Sequence, residues 1–208
     1  MTPARSATAP GGATDEPDDA SVAGGRIART ILEFIGQVPA TEQTRHRNPA
    51  GKARRIGNAA AARAALAAGG LALPPGPLGW LTILPELQTV WKQQAQMVAD
   101  IAGVHGRADD LTPAMMLYCL FRHIAPGAFR PLVRHEGGKV VFAPATPRVL
   151  RAVALKIGAR ISLRVLGRGV SRWVPVVGAL GVGAFAFYDT GRVAATAGEL
   201  FSQPIDTL

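Results

Sequence analysis

An all-α fold, a helical bundle with two apolar helical elements and a disordered N-terminal arm, is predicted from three observations. Hydrophobic residues make up 48% of the chain and aromatics only 6%, so burial must come from Ala, Leu, Val and Ile, which suits closely packed helices. Apolar residues recur at offsets of three and four along most of the chain, the spacing of one helix face. Glycines and prolines gather between those runs, where they stop helices. The 208 residues are enough for one domain with a real core, divided as an arm over 1–25, a helical domain over 26–202 and a tail over 203–208.

Met1 to Gly25 has almost nothing to bury, so ordering it would cost conformational entropy without return. Arg26 to Val38 places Ile27, Ile31, Phe34 and Ile35 on one stripe, and Pro39 ends it. Thr41 to Ala68 is basic and Ala-rich, with a strong helix former run from Ala59 to Ala68 and a Gly69-Gly70 stop. The first apolar element, Leu71 to Leu84, contains a Pro-Gly breaker and is too interrupted to predict a long helix. From Pro85 to Ile101 the pattern is helical, with Leu87, Val90, Trp91, Gln94, Met97 and Val98 on one face. Asp109 to Ile124 predicts a helix with Thr112 as N-cap and Pro113 at its first position. Lys139 to Phe142 reads as a short strand or an extended loop.

The last third carries the functional signal. Leu150 to Leu166 is helical in pattern, with Gly158 a weak point, and Lys156, Arg160, Arg164 and Arg168 recur every four residues. Such a series drifts about 40° per step, so the cations share a broad sector, with Leu155, Leu163, Val165 and Leu166 expected elsewhere. The second apolar element, Trp173 to Tyr188, is sixteen residues without charge, short of the roughly 20 needed to cross a bilayer. Within and beyond it, Ala179, Gly183, Ala186, Thr190, Ala194 and Ala197 form a small-residue seam where another helix can approach closely.

Net charge is +9, and from Ser21 onward 22 Lys and Arg face 10 acids, about +12. Such a surface attracts polyanions: anionic lipid, nucleic acid or an acidic protein. Cys119, the one cysteine, cannot form an internal disulfide and sits in an apolar helical run that predicts a buried thiol. Met1 to Ala20 carries no secretory pattern, so a cytoplasmic protein is expected. His135-Glu136 lacks the second histidine of a zinc-protease helix, and Gly169-Val-Ser171-Arg-Trp173 lacks the second glycine of a nucleophile elbow. Gly181-x-Gly183-x-x-Ala186 matches the dinucleotide fingerprint as a string, but helix packing explains it better. No catalytic residue, metal site or cofactor is therefore assigned.

Two blocks resemble the EcsC family of bacterial proteins, named from a gene beside those of an ABC transporter. The first is Gly70-Leu71 with Leu81-Thr82-Ile83-Leu84-Pro85-Glu86-Leu87, Ile101-Ala102 and His105-Gly106. The second is Val174-Pro175-Val176-Val177-Gly178-Ala179-Leu180-Gly181, with Thr190, Val193-Ala194 and Phe201 downstream. The resemblance implies a helical, membrane-associated protein linked to transport or secretion, with a loose suggestion of peptidase activity.

The expected function is a non-catalytic accessory protein peripheral to the inner face of the membrane. Lys156, Arg160, Arg164 and Arg168 would meet an anionic surface or a membrane-protein complex, while Trp80, Leu81 and Ile83 supply apolar contact. A hydrolase assembled only in the fold, from Glu86, Asp100, His105 and Ser171, stays open, as does a nucleic-acid binder. The second is disfavoured by the absence of a binding motif and the scarcity of aromatics.

Overall fold

The computed structural model describes the backbone of residues 16–70, 79–166 and 175–207, and the side chains of 21–68, 88–163 and 183–207. The described residues contain six α-helices, a single-turn 3₁₀ helix and one three-stranded sheet: α1 Glu16–Ile35, α2 Pro49–Gly70, α3 Gly79–Val104, α4 Pro113–Phe121, the 3₁₀ turn Pro126–Phe129, α5 Pro147–Leu166 and α6 Pro175–Ser202, with β1 Val133–Glu136, β2 Lys139–Phe142 and β3 Ile205–Thr207. The chain is mainly α-helical, as its composition and periodicity predict.

Local chemistry sets the helix starts. Asn48 Oδ1 accepts the Gly51 amide at 2.9 Å, and Pro49 opens α2 with its fixed φ. Thr112 caps α4, accepting the Met115 amide at 3.3 Å, with Pro113 at the first position. Thr146 does the same for α5 through the Val149 amide at 3.4 Å.

Short α4 is the centre of the core. Every residue from Ala114 to Phe121 is buried. Trp91 of α3 meets Phe121 edge-on at 5.3 Å, and Tyr118 meets both Phe129 and Phe142 edge-on at 5.4 and 5.7 Å. These contacts tie the sheet to the bundle. Around α4, α6 packs on α2 and α3, while α1 packs on α5.

Small residues let both of those pairs close up. On α2, Ala53, Gly57, Ala60 and Ala64 are buried, and a Cβ at Gly57 would lie 2.6 Å from that of Ala194 on α6. Gly183, Ala186, Thr190 and Ala197 are buried on α6, whereas the side chain of Ala179 lies outside the described residues. Between α1 and α5 the approach is closer still, since a Cβ on Gly158 would collide with the Gly24 carbonyl oxygen.

Four expectations are corrected. α1 begins at Glu16, ten residues before the expected helix start at Arg26, because Gly24 and Ala28 find a surface on α5 around Gly158; residues 1–15 lie outside the described residues. α3 begins at Gly79 and continues through Pro85. A proline there removes one backbone hydrogen bond, but the helix packs onto α2 and α6, and tertiary contact overrides local preference. The C-terminal residues form more than a tail. β3 pairs parallel to β2 with Val140 opposite Ile205, and the Val140 amide donates to Pro204 O at 3.0 Å. The fourth lies on α5, where Leu155 and Leu163 are exposed on the same side as the cations. Lys139 to Phe142 is the strand β2, joined to antiparallel β1 by Gly137-Gly138, whose φ values of +58° and +78° are those a two-residue hairpin requires.

Candidate functional site

The outward face of α5 is built from its own periodicity. Val153, Ala154, Ile157, Gly158, Ile161 and Ser162 face inward, many of them against α1. Arg148, Arg151, Lys156 and Arg160 are exposed, and α5 contains no Asp or Glu. Among the described residues none of these four cations is in an ion pair. The leucines were expected away from them, but Leu155 is 45% exposed and Leu163 is 61% exposed on the same side. Helical geometry explains the difference, since Leu163 follows Lys156 by seven residues, nearly two whole turns, so the two are about 20° apart. The face is therefore both cationic and oily.

Of the other expected contact residues, the side chain of Arg164 and all of Arg168 lie outside the described residues, as do the side chains of Trp80, Leu81 and Ile83. The side chains of the second apolar element are described only from Gly183 onward. There Gly183 and Ala186 are buried, while Phe185, Phe187 and Tyr188 are about half exposed or more. Among the described residues no helix is long and apolar enough to cross a membrane.

A second polar arrangement lies inside the bundle. Asp189 of α6 accepts from His123 Nε2 at 2.8 Å and from Gln94 Nε2 of α3 at 2.9 Å. Gln94 also donates to Thr190 Oγ1 at 3.2 Å. Because a carboxylate only accepts, Nε2 of His123 carries the proton, and His123 Nδ1 is buried without a partner among the described residues. The cluster joins α3, α6 and the turn after α4. Beside it, Arg122 lies over the Tyr118 ring at 5.2 Å and pairs with Glu199 of α6 at 3.0 Å. Burial raises the Tyr118 phenol, partly offset by the Arg122 charge.

Of the residues weighed for hydrolysis, Asp100 and His105, the two whose side chains are described, share no hydrogen bond. Asp100 accepts from Thr41 Oγ1 at 2.6 Å and Gln96 Nε2 at 3.2 Å, and His105 Nδ1 faces the Ile101 carbonyl at 2.8 Å. Ser171 and the side chain of Glu86 lie outside the described residues. Cys119 is fully buried, and burial pushes its thiol well above the usual range, so it stays protonated. Among the described residues no three His, Cys, Asp or Glu side chains are grouped to hold a metal ion.

Sequence reasoning missed the His123–Asp189–Gln94 cluster because its members are 66 and 95 residues from Asp189. One signal pointed to it: Gln94 stands in an otherwise apolar helical stripe, and a buried amide requires partners. Compared with known protein families, with curated proteins and with solved structures, the chain matches none.

Proposed function

We propose that the protein is a non-catalytic peripheral protein that docks on an anionic membrane surface through the outer face of α5. The observation that carries this reading is the pairing of exposed Leu155 and Leu163 with Arg148, Arg151, Lys156 and Arg160 on an acid-free helix. Exposed leucines cost little to move into the acyl boundary and gain the hydrophobic transfer energy. Each nearby cation contributes about 1 kcal/mol at an anionic leaflet, within a Debye length of the surface. The EcsC-like motifs would set this docking at the cytoplasmic face, beside a transporter or secretion system.

Flotation with phosphatidylglycerol-containing and purely phosphatidylcholine vesicles tests it. The full chain is expected to float with the anionic vesicles only. Changing Arg148, Arg151, Lys156 and Arg160 together to Gln is expected to weaken that binding at least ~100-fold. Equal binding to both vesicles, or no loss in the variant, contradicts the electrostatic account. A gel shift by duplex DNA with steep salt dependence, in the absence of flotation, would favour the nucleic-acid reading instead.

A further inference from the structure

α2 and α3 run antiparallel, since the segment entering α2 bonds to the end of α3 through His46 N and Val104 O at 3.0 Å. Between them lies a cleft of about 260 Å³, just below the usual range of small-molecule sites and suited only to a small ligand. Its walls are Ile56, Ala60, Ala64, Val90 and Met97, and Gln94 and Thr190, both at least 98% buried, form part of its polar lining. Gln94 is held by its bonds to Asp189 and Thr190, so that lining is preorganised.

Two opposite charges line the same cleft without pairing. Arg63 makes one bond, Nε to the Ala59 carbonyl at 3.3 Å, and has no ion pair among the described residues. Among the described residues Asp100 accepts only from neutral donors, Thr41 and Gln96. Late in α2, Arg63 belongs at the Val90–Gln93 end, with Asp100 at the other; Gln93 to Asp100 rises about 10 Å along α3. A trough of mixed apolar and polar lining, with a cation at one end and a carboxylate at the other, is complementary to an extended zwitterion.

We propose that this cleft binds a small unbranched ω-amino acid, its carboxylate on Arg63, its ammonium on Asp100 and its methylenes along Ile56, Ala60 and Met97. This site is separate from the α5 face and does not depend on the docking reading. Calorimetric titration of the full chain with aminocaproate, caproate and hexylamine tests it. Aminocaproate is expected to bind at least about tenfold more tightly than either singly charged probe, because each end adds a charge-assisted hydrogen bond. Arg63→Gln should reduce aminocaproate to the affinity of hexylamine, and Asp100→Asn to that of caproate, with circular dichroism confirming the fold. Arg63 is exposed, so Arg63→Gln alone decides the matter if Asp100→Asn does not fold. Absence of aminocaproate binding, three equal affinities, or unchanged affinity in Arg63→Gln overturns the proposal.

Discussion

Asp189→Ala is expected to destabilise the protein by about 2–4 kcal/mol, read as a fall of about 5–15 °C in the thermal midpoint. The carboxylate satisfies two donors from separate elements, the imidazole Nε2–H of His123 and the amide of Gln94. Removing it leaves a histidine side chain that is only 8% exposed with neither ring nitrogen partnered among the described residues, because Nδ1 already has none. Gln94 keeps Thr190 and suffers less. Asp189→Asn retains an acceptor oxygen and should restore more than half of the loss. In the double variant His123→Leu, Asp189→Leu the two costs should fall well short of adding, since groups in one network couple. A loss within about 0.5 kcal/mol for Asp189→Ala would show that the cluster is not a structural tie.

The second large effect is one of sign. In an unobstructed helix, Gly→Ala stabilises by about 1 kcal/mol. Gly158→Ala is expected instead to destabilise by about 1–3 kcal/mol, because the new methyl meets the Gly24 carbonyl and the Ala28 amide, which are backbone and cannot rotate away. Gly191 supplies the control. It also lies within a helix, α6, but nothing stands within 4 Å of its Cβ position, so Gly191→Ala should stabilise. Denaturant midpoints of the two variants, with amide exchange in α1 to localise the opening, check both halves. A stabilised Gly158→Ala would mean that α1 and α5 are not in close backbone contact.

That contact also shows what the sequence could and could not disclose. Helix interiors were legible from periodicity and starts such as Thr112-Pro113 from capping chemistry, because both depend on neighbours within one turn. Gly158 read locally is a weak point; only the packed partner makes it the place where two backbones meet. The early start of α1 at Glu16 and the passage of α3 through Pro85 have the same cause, since in each the deciding contact comes from a distant element. β3 became visible only when Ile205 was set beside Val140. For the outer face of α5, the cations were legible but the exposure of the leucines beside them was not. The cations recur every four residues, whereas Leu163 returns beside Lys156 after seven, a relation the four-residue spacing alone does not show. The polar cluster draws on three separate elements, and only the out-of-place Gln94 hinted at it.

Spin labels placed singly at Leu163→Cys and at Arg134→Cys test membrane seating of the α5 face most directly, Cys119 being buried and protonated and therefore poorly reactive. On phosphatidylglycerol-containing vesicles the label at position 163 should lose accessibility to a water-soluble relaxant and gain accessibility to oxygen, while the label on exposed β1 at position 134 keeps its solution values. Unchanged accessibility at position 163 on vesicles that carry the protein, or the same change at both positions, would contradict attachment through α5.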